Sequence, residues 1–304
     1  PTPTIDPAIL AEYEMPAAAR RSLALVGPTA PAEGGLPAEL YGRADGPYLE
    51  RLMRSLSAPL PSRWMSILLR RALLSESRTP ARVNGADFAA ERAWLLLRMG
   101  ESVSARALVQ GVDAANYTPK LYDVAMNAML ATGDPGGLCP LQRRGAGIVP
   151  GRSWTLAGAM CAALSGEAAS ARDQLTVARR RRVATGIDLQ LAQKVVGAAP
   201  NGRQAVTIEW AGVDRLTAWR FGLAAATGVA IPDDMMAGTG PQVTYWRALA
   251  PGIAPADRLA AAEAAAGQGV LSSNALVDLY AALDAGEDAP SAVSAVANDL
   301  RTAY

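Results

Sequence analysis

The sequence predicts an all-α protein in which antiparallel helix pairs stack into a curved array. Three observations carry that expectation. A glycine followed by an acidic residue recurs at Gly100-Glu101, Gly133-Asp134 and Gly166-Glu167, a period of 33 residues, which is the length of a helix-turn-helix unit in repeat proteins. Apolar residues keep fixed offsets from each glycine: twelve positions earlier stand Phe88, Leu121 and Trp154, five earlier Leu95, Ala128 and Cys161, four earlier Leu96, Met129 and Ala162. Offsets of 7 and 8 share one helical face. Composition agrees, because the 50% apolar content comes mainly from Ala, Leu and Val with only two Phe, which favours close helix packing over a sandwich of strands.

Residues 1–46 carry Pro, Gly and Ala in excess, including LVGPTAPAEGGLP, and read as a linker or a surface strap with one short helical candidate over 7–22. The array is expected over 47–304. Two helices are predicted within 47–77, the second marked by Trp64, Ile67, Leu68 and Ala72. The clearest units occupy 86–183. Each anchor glycine ends a first helix, because glycine adopts left-handed geometry without a Cβ penalty. The acidic residue after it suits the positive end of the next helix, and Ala105, Leu138 and Ala171, five positions on, open that helix's packing face. Pro135 is compatible with a helix start, whereas Gly136 and Gly137 weaken the second helix of the middle unit. After Val183 the period fades into divergent helical repeats over 184–304. Helices are predicted at 188–198, 213–227, 241–249, 255–266, 272–284 and 290–303, with Ser273 and several prolines as start signals. Only QAVTIEW, 204–210, reads as extended, and it has no partner strand.

The units over 86–183 resemble degenerate tetratricopeptide repeats. In that family the turn reads Gly-Asp/Glu, a small residue follows five positions later and a proline closes the unit; Gly100-Glu101, Gly133-Asp134, Gly166-Glu167, Ala105, Ala171 and Pro150 match. Phe88, Leu121 and Trp154 stand one position before the family's usual bulky residue. The resemblance implies a right-handed α-solenoid that binds other proteins. It also implies a concave wall lined by Asp87, Ala90, Trp94 and Arg98, then Lys120, Asp123, Asn127 and Ala131, then Ser153, Leu156, Met160 and Leu164. Asp87, Trp94, Arg98, Lys120, Asp123 and Asn127 are therefore candidate partner-binding residues. Trp94 beside Arg98 would form a binding hot spot, the other reading of Trp94 being a core residue. The run Arg179, Arg180, Arg181 and Arg182 reads as a solvated helix end or as a contact for an acidic protein partner. In such an array Cys139 and Cys161 lie on neighbouring antiparallel helices. Either they form a disulfide, implying an oxidising compartment, the periplasm in a bacterium, or they are two buried thiols of a cytoplasmic protein.

Several function classes fall away. The net charge is +1, which gives no overall pull toward nucleic acid, and among 29 basic residues only Lys120 and Lys194 are lysine, a bias that points to a GC-rich bacterial source. No apolar run approaches the roughly 18 residues of a membrane span. The chain starts PTPTIDP with neither Met nor a secretory leader and is read as a mature or trimmed form. There is no His, which removes Ser-His-Asp and Cys-His activation and the commonest zinc ligand. Carboxylate chemistry would have to use Glu209 with Asp214, Asp233-Asp234 or Glu101. Glu101-Ser102 resembles the Glu-Ser start of lytic transglycosylase sites for two residues only; Asp233-Asp234 reads as a helix start, and Glu209 and Asp214 as solvated or paired with Arg203 or Arg215. GPTAPAEGG lacks the Gly-Lys-Ser/Thr of a phosphate loop. The expectation is a non-catalytic scaffold or adaptor without cofactor or metal, a periplasmic component of a pilus, secretion, flagellar or cell-wall assembly; the alternative is a helical accessory domain of a peptidoglycan enzyme.

Overall fold

The computed structural model describes residues 16, 19–202 and 205–284. The chain is all-α. In order come α1 (Gly46–Ser55), α2 (Arg63–Leu74), α3 (Gly85–Arg98), α4 (Ser102–Gln110) and α5 (Pro119–Ala131). A 3-10 turn at Pro135–Leu138 leads into α6 (Cys139–Ile148), followed by α7 (Arg152–Leu164), α8 (Ala168–Arg180), α9 (Gly186–Ala198) and α10 (Ala218–Ala226). The short α11 (Asp233–Ala237) precedes α12 (Pro241–Leu249), α13 (Pro255–Gln268) and α14 (Ser273–Asp284). Among the described residues the only sheet pairs two-residue strands, β1 (Leu25–Val26) antiparallel to β2 (Ser77–Arg78), with Leu25 opposite Arg78.

Local chemistry accounts for the helix limits. Ser62, Asn84, Thr118 and Thr217 each accept a backbone N–H at the start of α2, α3, α5 and α10, which satisfies a donor that has no partner within the helix. The three glycine-acid turns share one geometry. Gly100, Gly133 and Gly166 have φ of +87°, +68° and +86°. In each, the glycine N–H donates three residues back, to Leu97, Leu130 and Ala163, and the acidic residue's N–H donates five back, to Leu96, Met129 and Ala162. Phe88, Leu121 and Trp154 are buried, as are Ala105, Leu138 and Ala171.

Consecutive helices pack as pairs, α3 with α4 and α7 with α8, while α5 meets both its own second helix and the preceding pair. α9 lies against α7 and α8. The chain then turns back: α10 packs on α5 as well as α9, α12 touches α4, and α13 touches α2. The approach of α10 to α5 is so close that a Cβ on Gly222 would sit 2.3 Å from the Leu130 carbonyl oxygen. Trp246 on α12 donates its Nε1–H to Leu97 at 3.2 Å. Arg70 on α2 binds both Glu101 Oε1 and the Gly269 carbonyl at 2.7 Å. In an array whose units meet only their neighbours, such contacts do not arise.

Residues 19–46 run along the first units. Thr29 exchanges backbone hydrogen bonds with Leu74 and Glu76. Arg92, fully buried on α3, donates to the carbonyls of Val26 (2.8 Å), Leu73 (2.8 Å) and Ser75 (2.7 Å), tying this segment and the end of α2 to the core. The carbonyl end of α2 is where a cation is favoured. One boundary differs from expectation: the helix predicted from Val213 starts at Ala218, since Thr217 caps it there. Residues 205–210 form neither helix nor strand; Ile208 and Trp210 pack on the core, and Trp210 donates to the Ala230 carbonyl at 3.0 Å. Of the candidate helix over 7–22 only residues 16 and 19–22 are described, and 20–22 are not helical; that over 290–303 lies wholly outside the described residues.

Candidate functional site

The residues expected on a concave wall are partly roofed by α1. Arg98 donates to the carbonyls of Met53 (2.6 Å) and Arg54 (3.1 Å) at the end of α1. Lys120 lies 2.6 Å from Glu91 and 3.3 Å from Glu50, while Arg54 Nε reaches Glu91 at 2.6 Å. Asp87 accepts a hydrogen bond from Thr118. Asn127 donates to the Asp123 carbonyl at 2.8 Å, and Asp123 is exposed, its carboxyl pushed up by partial burial among its neighbours. Trp94 keeps 41% of its surface exposed. Asp87, Arg98 and Lys120 are thus engaged within the chain, and Trp94 and Asp123 are open to solvent.

A second surface was not legible as one. On α2, Trp64 is 76%, Met65 57% and Leu68 58% exposed, one stripe at helical spacing. Trp64, Ile67, Leu68 and Ala72 mark a helix in the sequence without saying which side of it is covered. RWMSILLRRALL is apolar on more than one side, so periodicity does not identify its inner face. Ser66 and Leu73 turn inward, and Ile67 lies against Gly269 of the returning C-terminal segment. An exposed large apolar patch is the informative observation on a protein surface, and Trp is the residue most enriched in binding hot spots.

Arg179, Arg180, Arg181 and Arg182 are all exposed at the end of α8. Cys139 and Cys161 are joined as a disulfide with Cα atoms 5.4 Å apart, linking the first turn of α6 to the last turn of α7. Glu101 is buried; burial raises its carboxyl pKa, and Arg70 with Ser104, 2.7 and 2.9 Å away, pulls it back only in part. Its role in the structure is to link α2, the first turn and the Gly269 carbonyl through Arg70. Asp214 is exposed, one of the two expected readings, and pairs with Arg220 in the first turn of α10 at 3.4 Å. Asp188 joins Arg220 at 2.8 Å and Arg152 at 3.3 Å, connecting α9 to α10 and α7. Asp233 and Asp234 occupy the first turn of α11.

Among the described residues no group of three or more Cys, Asp or Glu could hold a metal ion, and no helix is long and apolar enough to cross a membrane. No family model matches the chain, and neither a curated protein nor a solved structure does.

Proposed function

We propose that this chain is a protein-binding scaffold: a tetratricopeptide-like α-solenoid, closed by the return of its C-terminal helices, that serves as a structural component of a bacterial envelope assembly. The observation that carries this reading is the Trp64, Met65 and Leu68 stripe on α2. The stripe is held on a rigid base, because the opposite side of α2 is fastened by Arg70 to Glu101 and Gly269 and by Arg92 to the Leu73 carbonyl. Rigid presentation lowers the ordering cost of association, and a solvent-facing Trp and Leu one turn apart supply the apolar anchor that a partner pocket would cover. The Cys139–Cys161 disulfide supports the periplasm as the compartment.

The test is crosslinked affinity capture from native cells with wild type and a Trp64→Ser/Leu68→Ser variant, identifying partners by mass spectrometry. Both substitutions replace exposed side chains, so folding is expected to be retained and is checked by circular dichroism. The reading expects stoichiometric recovery of one envelope complex by wild type and at least tenfold less by the variant, a loss of ~1.4 kcal/mol. Equal recovery by both would remove α2 as the binding surface.

A further inference from the structure

Charge is unevenly distributed along the chain. Between Cys139 and Arg182 stand eight arginines and two acidic residues, a net +6, whereas nine acidic residues and three arginines follow Gly228, a net −6, in a molecule whose total is +1. Folding leaves the arginines of the first block exposed. Gln142 of α6 and Gln174 of α8 meet over Gly158 of α7, where a Cβ would lie 2.8 and 3.1 Å from their side chains. Both helices therefore pack on α7, and Arg143, Arg144 and Arg172 on them, with the Arg179 to Arg182 run at the end of α8, are all exposed. Of the eight arginines only Arg152 makes an ion pair among the described residues.

The opposite charge sits on other helices. Asp233, Asp234, Asp257 and Asp278 are exposed on α11, α13 and α14, with no ion pair among the described residues. Asp233 and Asp257 flank a cleft of about 520 Å³ walled by Val229, Ile231, Met236 and Ile253, with Arg247 also on its lining. Apolar walls with carboxylates at the mouth suit an arginine, whose stem packs on apolar surface while the guanidinium reaches a carboxylate in a forked geometry.

We infer that the arginine face on α6 and α8 of one molecule docks on the acidic C-terminal helices of a second copy. The two blocks are opposite in sign, both occur in every molecule, and no ion pair joins them within the chain among the described residues. Unpaired like charge destabilises the compact state and favours association with the complement. Because the two faces are different surfaces, the contact is head to tail, leaving one free face of each sign at the ends of a growing row. This surface is separate from the α2 stripe, and its test uses purified protein alone, so the two readings fail independently.

The test is sedimentation velocity of the oxidised protein from micromolar to about 100 micromolar. It is run in about 10 mM and about 1 M salt, where the screening length falls from about 30 to about 3 Å. The inference expects average mass to grow with concentration to at least twice that of one chain in low salt, and to return to one chain in high salt. A variant with Arg179, Arg180, Arg181 and Arg182 changed to Ser, and another with Asp233→Asn, Asp234→Asn and Asp257→Asn, each remain single chains; mixed, they form one-to-one pairs that cannot extend, because each supplies the face the other lacks. Wild type that stays a single chain in low salt overturns the inference, including the case where its arginine face takes up heparin. So does association that persists in either variant alone.

Discussion

Glu91 lies buried on α3 with Arg54 and Lys120 on its carboxylate. Burial alone would raise its pKa, but the hydrogen bonds from Arg54 and Lys120 outweigh it and hold the carboxyl below its ordinary value. A carboxyl depressed in the folded state contributes stability above its unfolded pKa of about 4.3, and that contribution is lost as pH falls through the folded value. Glu101 behaves oppositely: burial raises it, so its contribution is present below the unfolded pKa and is lost as pH rises through the folded one. Urea midpoints between about pH 3 and pH 7 should therefore fall less on acidification in Glu91→Gln than in wild type, whereas Glu101→Gln removes a slope of the other sign. At pH 7 Glu91→Gln should be less stable by about 2 kcal/mol, because a buried acceptor and two cations lose their match. Equal pH slopes for wild type and Glu91→Gln would show that the network does not set the carboxyl's protonation.

At the scale of elements, the three glycine turns are alike in backbone and unlike in surroundings. A Cβ on Gly166 would meet nothing within 4 Å, while one on Gly100 would lie 2.5 Å from the Tyr245 ring. Gly166→Ala should cost about 1 kcal/mol for left-handed geometry alone, and Gly100→Ala about 3 kcal/mol, since α12 must also shift; the difference between their denaturation midpoints reads the contact directly. The disulfide fastens α6, the helix that Gly136 and Gly137 delay behind a 3-10 turn, to α7. Its 22-residue separation corresponds to about 3 kcal/mol of chain entropy, so reduction should lower unfolding free energy by that amount, and alkylation before reduction should leave the intact mass unchanged. These turns were legible in the sequence because left-handed glycine and helix caps are local chemistry. The exposed side of α2 was not legible: Trp64, Met65, Ile67 and Leu68 fall on one broad apolar side, and which of them is covered depends on Gly269, some 200 residues away.

At the scale of the molecule, the spacing of residues 86–183 describes neighbours and is silent on whether the chain returns. That return depends on side chains with no periodic signature: Gly222 against Leu130, Tyr245 over Gly100, and Trp246 bonded to Leu97 and packed on Phe221 with ring centres 5.9 Å apart. The same absence of pattern hid the roofing of Arg98 and Lys120, since α1 reaches them through the Met53 and Arg54 carbonyls and through Glu50, which no spacing relates to α3 or α5. An open array unfolds from its ends, each unit held only by its neighbours; a chain whose last helices brace its first pair couples distant segments. Trp246→Ala distinguishes the two. It removes a buried ring and one of the donors to the Leu97 carbonyl, which keeps the Gly100 N–H, at a cost of about 4 kcal/mol. Hydrogen exchange at amides of residues 241–270 should quicken, and so should exchange across residues 96–110, because Gly100 and α4 lose the α12 cover on which their protection depends. Quickening confined to residues 241–270 would mean that α12 and α13 open as a separate unit and that the first pair is stable without them. Joint quickening would mean that the Gly100 turn and α4 are kept in shape by helices more than 130 residues later in the chain, so that a lesion in α12 also loosens Glu101, to which Arg70 fastens α2.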